Sequence, residues 1–284
     1  EFPFYMQVKD HTFFNFADCS PLALKGGVRE YLFGKRVKSS SLCNLALQHI
    51  KAGSIESQIL KDEINLFYRL QNITTIGKIL NIDKPEVKNI KKEKYYESCG
   101  IFIKSGSVFQ SAVKAGNNGD SHNHNDTGSF IIYKYGKPVF IDIGVETYTA
   151  KTFSPSRYDI WTMQSAWHNL PTFSLEMQKD GKEYCAGDVK YKFGKNPCIS
   201  MDIGKAYKKS AGVKSYLRKV EYTGDEKITI QDTFVPDSSV PSEIQYPVLS
   251  LITEASPVIN EDNGILCMEL NGARISIRCL PSKR

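Results

Sequence analysis

Arg274-Ile275-Ser276-Ile277-Arg278-Cys279, close to the end of the chain, changes from polar to apolar at every step. Successive side chains of a strand leave on opposite faces, so this period of two describes a strand with one buried face and one wet face. Lys227-Ile228-Thr229-Ile230 is written the same way. Between such runs lie short turn signals: Lys104-Ser105-Gly106, Tyr135-Gly136-Lys137, Lys179-Asp180-Gly181, Thr223-Gly224-Asp225 and Asn271-Gly272. Strands separated by tight turns pair antiparallel, and their apolar faces must be buried on one another. The region from about residue 95 to 284 is therefore expected to be an antiparallel β-sandwich.

Upstream the period changes to that of helices. Ser20-Pro21 has the chemistry of an N-cap followed by N1 and opens a stretch with Leu24, Val28, Tyr31 and Leu32 on one face. Leu42, Leu45, Ala46 and Ile50 fit a second helix, and Leu60, Ile64 and Phe67 a third. Residues 1–80 thus read as part of a helical array. Residues 81–94, with Asp83-Lys84-Pro85 and the cationic run Lys88, Lys91, Lys92 and Lys94, read as a solvated linker. The whole is mostly β, a multidomain α+β chain.

Composition narrows the class. With 284 residues, 41% hydrophobic and 24% charged, the chain has the make-up of a globular protein. No apolar run is long enough to span a bilayer. The opening Glu1-Phe2-Pro3-Phe4-Tyr5 has no basic n-region and no apolar h-region, and reads as the middle of a longer chain. The net charge of +6 favours an acidic partner. The basic residues are dispersed without an aromatic-interleaved patch, which argues against nucleic acid. The seven cysteines, Cys19, Cys43, Cys99, Cys185, Cys198, Cys267 and Cys279, form no Cys-x-x-Cys pair, so neither a zinc ribbon nor a disulfide framework is expected.

Three of the five histidines fall in one region. His122-Asn123-His124-Asn125-Asp126 precedes a strand, and in an extended segment His122 and His124 would point to the same side. Val139-Phe140-Ile141-Asp142-Ile143-Gly144 reads as a buried strand in which Asp142 faces away from Val139, Ile141 and Ile143. A carboxylate in such a strand is costly unless it is paired or bound to a cation. His168 follows in Ser165-Ala166-Trp167-His168-Asn169. His124, Asp142 and His168 form a donor set suited to zinc, and they are equally compatible with structural histidines in a hydrogen-bond network.

In this order the motifs resemble the C-terminal region of heparinase II/III-like proteins, a family that includes heparin lyases and oligoalginate lyases. They are His122-x-His124-x-Asp126-x-Gly128-Ser129-Phe130, Gly136-Lys137-Pro138, Ile141-Asp142-Ile143-Gly144, Tyr148 and Ala166-x-His168-Asn169. The resemblance is close over about 95–185 and looser elsewhere. It implies that the helices are the last of an α/α toroid and that His122 lies in the substrate cleft and takes part in catalysis. It also implies that His124, Asp142 and His168 bind zinc. Tyr158 becomes the candidate catalytic tyrosine, with Tyr148 as a competitor, and Arg157 the candidate binder of a carboxylate or sulfate. The partner would be an acidic polysaccharide or oligosaccharide, with neither nucleic acid nor membrane involved and a homo-oligomer left open. The site of action would be the periplasm or the exterior, although unpaired cysteines are equally at home in the cytoplasm. The family's toroidal asparagine and second tyrosine have no counterpart in these residues; Asn15 and Tyr5 are the nearest of their types.

The implied chemistry is β-elimination. The proton at C5 of a uronic acid becomes labile once the neighbouring carboxylate is neutralised. A base removes it while an acid protonates the departing oxygen on C4, and imidazole and phenol are suited to those roles. The zinc would pin the loops that carry them. Two other readings stay open: a carbohydrate-binding sandwich in which zinc only staples strands, and an iron oxygenase with His124, Asp142 and His168, or with His124-Asn125-Asp126, as ligands.

Overall fold

A computed structural model describes residues 1–23, 27–59, 65–82, 92–239, 247–262 and 265–278. The chain forms two compact units, one of Glu1–Phe13 with Pro21–Ile90 and the other of Phe14–Ser20 with Lys91–Arg284.

The first unit holds helices α1 (Phe2–Met6), α2 (Val28–Arg36), α3 (Ser40–Lys51), α4 (Ile55–Ile59) and α5 (Leu66–Leu80), with a hairpin of β1 (Gln7–Lys9) and β2 (Thr12–Phe13). α3 buries Leu42, Leu45, Ala46 and Ile50, as its spacing requires, and Ser39 caps it by accepting the Leu42 N–H at 3.3 Å. Ser20-Pro21 opens no helix. The Pro21 carbonyl accepts the Phe13 N–H at 2.8 Å and Leu22 bridges Thr12, so this backbone is spent on strand pairing. α2 begins at Val28 instead, where the Gly27 N–H donates to the Glu30 carboxylate at 2.6 Å. Of the expected third helix, Leu60 and Ile64 lie outside the described residues, as does Leu24. Phe67 falls in the first turn of α5 and is 65% exposed, so it is no core residue. The buried face of α5 is Asn72, Ile76 and Ile79.

The second unit is built of antiparallel sheets. β3 (Lys92–Tyr96), β4 (Ile101–Ser105), β5 (Phe109–Lys114), β7 (Phe130–Lys134) and β8 (Lys137–Phe140) pair in that order, while β6 (Asn117–Asn118) pairs with β10 (Gly181–Cys185). β9 (Pro171–Phe173) pairs with β15 (Pro247–Leu249). β11 (Gly187–Lys192), β12 (Cys198–Asp202), β13 (Val213–Thr223) and β14 (Lys227–Pro236) make a four-stranded sheet. β16 (Val258–Asp262), β17 (Ile265–Leu270) and β18 (Ala273–Arg278) make a three-stranded one. β3 thus starts inside the lysine-rich stretch, most of which (83–91) lies outside the described residues, as does Cys279.

Phe102, Val113, Phe130, Ile132 and Val139 of the five-stranded sheet and Ile199, Met201, Tyr216, Val220 and Tyr222 of the four-stranded sheet share one apolar core. That is the sandwich. Ile228 and Ile230 face it while Lys227 and Thr229 face out. Tyr135-Gly136 and Asn271-Gly272 have φ of 53° and 76°, and 49° and 77°, the double left-handed conformation of a tight hairpin turn. Lys179-Asp180-Gly181 makes no turn and leads directly into β10. No helix among the described residues is long and apolar enough to cross a membrane.

Candidate metal and catalytic site

Three stretches of the second unit converge: residues 14–20, the connection from β6 to β7, and the long loop 141–170 with its four short 3₁₀ turns. His122 has φ of 57°, a left-handed conformation that costs a non-glycine residue about 1 kcal/mol or more. This breaks the period of two. His122 and His124 therefore do not share a side: His122 is 55% exposed at its side chain and His124 is buried. A single carboxylate nevertheless meets both. Asp18 Oδ2 lies 3.0 Å from His122 Nδ1, and Asp18 Oδ1 lies 3.0 Å from His124 Nε2. Arg157 Nη2 donates to Asp18 Oδ1 at 2.6 Å and the Tyr148 hydroxyl to Asp18 Oδ2 at 3.0 Å. Burial alone would raise the Asp18 carboxyl, but the hydrogen bonds from Arg157, His122 and Tyr148 and the Arg157 charge hold it below the usual carboxylate range.

His124 also belongs to a second, buried group. One side-chain donor atom from each of His124, Asp142 and His168 can be chosen so that all lie within 4.8 Å of one another. The expected strand around Asp142 stops at Phe140, because Asp142 spends its polar atoms elsewhere. Its carbonyl accepts the Asn15 side-chain amide at 3.1 Å, its Oδ1 the Gly144 N–H at 2.9 Å, and its Oδ2 lies 2.9 Å from His168 Nδ1. Burial alone would raise the Asp142 carboxyl, yet the charge of His168 and its hydrogen bond hold it low. The same pair raises His168 against its own burial. Burial lowers His124, with the neighbouring His168 adding to the effect.

His124 Nδ1 and His168 Nε2 have no hydrogen-bond partner among the described residues, although both are buried. A buried nitrogen left so costs about 1–3 kcal/mol unless something takes its lone pair. Two imidazoles and a carboxylate, dry and convergent, fit a divalent cation of the nitrogen-preferring kind. Asp126 does not belong to this set. It pairs with the buried ammonium of Lys114, which also donates to Asn123 at 3.1 Å.

A hollow of about 280 Å³ is lined by His122, Asn123, Thr152, Phe153, Arg157 and Tyr158 among others. Arg157 is heavily committed: besides Asp18, it donates to the carbonyls of Asn123 and Thr152, each at 3.1 Å. Tyr158 lines the hollow, whereas the Tyr148 hydroxyl stands 3.4 Å from His122 Nδ1, at the Asp18 side of the ring. Tyr5 belongs to α1 of the first unit. Sequence reasoning missed Asp18, Asn169 and Arg218. The Asn169 side chain donates to the carbonyls of Phe130 at 2.7 Å and Ile141 at 3.0 Å, tying the backbone just before Asp142 to the residue after His168. A buried amide next to a candidate ligand was a readable signal; a lone aspartate between Ala17 and Cys19 was not.

The comparisons agree with this architecture. Residues 91–279 match the family model "Heparinase II/III-like, C-terminal", and the chain belongs to that family. Among solved structures, a heparinase III described as the BT4657 gene product with methylated lysines aligns at a TM-score of 0.56 and 17% identity, over 98% of this chain and 37% of that one. The heparan sulfate lyase HepC from Pedobacter heparinus aligns at 0.53 and 13% identity, over 98% of this chain and 47% of its own. The chain thus spans less than half the length of these structures, and at such identities the likeness is one of fold. No curated protein sequence matches the chain.

Proposed function

We propose that this chain is the C-terminal part of a polysaccharide lyase that cleaves a uronic-acid-containing glycan, such as heparan sulfate or alginate, by β-elimination. The observation that carries the reading is His122. It is a strained, half-exposed imidazole at the rim of a hollow, tied through Asp18 to His124 of a buried His/His/Asp group. In this reading His122 removes the C5 proton through Nε2, the nitrogen turned away from Asp18, and Tyr158 protonates the departing oxygen on C4. Arg157 sits at the same hollow, where its charge attracts a carboxylate or sulfate. His124, Asp142 and His168 hold a zinc ion, which supplies rigidity to the two loops rather than a contact to the sugar. The helical unit is read as the end of a helical toroid that contributes the remaining substrate contacts. Relatives named as heparinases and heparan sulfate lyases support a glycan substrate, and a periplasmic or secreted place of action is part of the same proposal.

The test is absorbance of the unsaturated uronate product. The full-length protein is offered heparin, heparan sulfate, alginate and polyglucuronate, beside His122→Ala. Product from the wild type alone supports the reading; a His122→Ala protein as active as wild type removes His122 from the chemistry.

A further inference from the structure

Asp18 stands 104 residues before His122 and 106 before His124, yet each of its two oxygens is assigned to one of them. The backbone repeats the pairing, with the Asp18 N–H reaching the His122 carbonyl at 3.4 Å. An imidazole has two nitrogens, and the hydrogen bond made by one decides which of them carries the proton. A carboxylate only accepts, so it selects the N–H form at the nitrogen it meets. At His122 this places the proton on Nδ1 and leaves Nε2, which has no partner among the described residues, with its lone pair free. At His124 it places the proton on Nε2 and leaves the buried, unpartnered Nδ1 with its lone pair free. Arg157 and Tyr148 donate to the same carboxylate and hold it ionised and in place.

We infer that Asp18 is a positioning residue shared by the two histidines. One oxygen sets the tautomer that makes His122 a base, and the other sets the tautomer that makes His124 a metal ligand. This rests on the lyase reading for His122 and on the metal reading for His124, and it couples the two. The same carboxylate that readies the base also readies the cation site, so neither can be lost alone when Asp18 is removed. Tyr148, as a donor to Asp18, belongs to this support rather than to the proton transfer.

The experiment uses the full-length protein with ¹⁵N-labelled histidine, as wild type, Asp18→Ala and Asp18→Asn, with His122→Gln to assign the His122 signals. Three readouts are taken: ring ¹⁵N shifts, zinc retained against a graded chelator, and kcat and KM on the active glycan. In the wild type neutral His122 is expected with its proton on Nδ1. Asp18→Ala should shift it toward the Nε2–H form, weaken zinc by about 10–100-fold, and lower kcat by about 100-fold or more with KM within about threefold. Asp18→Asn offers one oxygen and one N–H₂ group, so at least one of the two histidines should change. If Asp18→Ala fails to fold, Asp18→Asn decides alone. In a folded Asp18→Ala, either an unchanged His122 ring shift or unchanged zinc retention would overturn the proposal, and in Asp18→Asn both unchanged would do so. A wild type that is inactive on every glycan but shows the tautomer and zinc effects would sink the lyase reading and leave the role of Asp18 intact.

Discussion

Arg218, fully buried in β13, donates from Nη1 to the main-chain oxygen of Asn169 at 2.7 Å, so a core strand of the sandwich grips the residue next to His168. The same nitrogen reaches the Gly128 carbonyl at 2.9 Å, and the rest of the fork is taken by Asp232, at 2.8 and 2.6 Å. The two loops that deliver His124 and His168 are thus held by one guanidinium. Gly128 is itself constrained: its φ is 93°, and an added Cβ would sit 2.7 Å from Ile203.

Arg218→Ala leaves two carbonyls without this donor and the half-buried Asp232 with only the Tyr216 hydroxyl, at 2.8 Å. The expected loss is about 3–5 kcal/mol of stability, read from urea unfolding of the full-length protein. Arg218→Lys should still lose a large part of this, because an ammonium cannot make the bidentate pair. A lysine variant as stable as wild type would show that the planar fork is not needed.

Asp225 joins the two main sheets. From the β13–β14 turn it accepts from Lys104 at 3.0 Å, from the Ser107 hydroxyl at 2.8 Å and from the Val108 N–H at 2.8 Å. Burial would raise this carboxyl, but these donors hold it below its ordinary value. An unfolded aspartate titrates near pH ~3.9, so the stabilisation is complete above that value and is lost as pH falls through the lower folded one. Asp225→Asn should cost about 1–2 kcal/mol at pH 7, and the gap in melting temperature should close as pH drops below about 4. A gap that stays constant down to pH 3 would contradict this.

Asn169 is fully buried, and besides its two donor bonds its Oδ1 accepts the Ile252 N–H at 2.7 Å. Asn169→Ala strands three backbone groups and should cost about 2–4 kcal/mol. It should also reduce bound metal, since both Ile141 and His168 are anchored beside it. Elemental analysis of the purified variant, set beside its unfolding curve, separates the two effects.

Metal removal gives the fourth test. With zinc at about 100 times its dissociation constant, binding adds about 2.7 kcal/mol. Chelation should therefore lower the melting temperature of the wild type and leave Asp142→Ala and His168→Ala unmoved. Equal sensitivity in all three would place the metal elsewhere.

Much of this was readable in the sequence because it is local. A period of two needs only neighbours, so the strands at 227–230 and 274–278 and the apolar face of α3 were legible from single stretches. His124, Asp142 and His168 could be picked out because histidine is rare and an aspartate inside an apolar run is costly wherever it stands. Ser20-Pro21 misled because strand pairing with residues 11–13 claimed a backbone whose local chemistry favoured a helix. The opposite exposures of His122 and His124 were equally out of reach, since a single left-handed residue reverses what an extended segment would do.

The sequence by itself determined which residues could be buried, which faces would be apolar, and which side chains carry chemistry, because those depend on composition and short-range period. Only the tertiary structure decided what each of them meets. Asp18 carries no local mark of importance, yet the fold lays its two oxygens against histidines more than a hundred residues away. Arg218 reads as one charged residue in a half-buried strand, and only the packing of two loops over β13 turns it into their anchor. Hydrogen bonds have a reach of about 3 Å, and no spacing along the chain fixes which groups come that close.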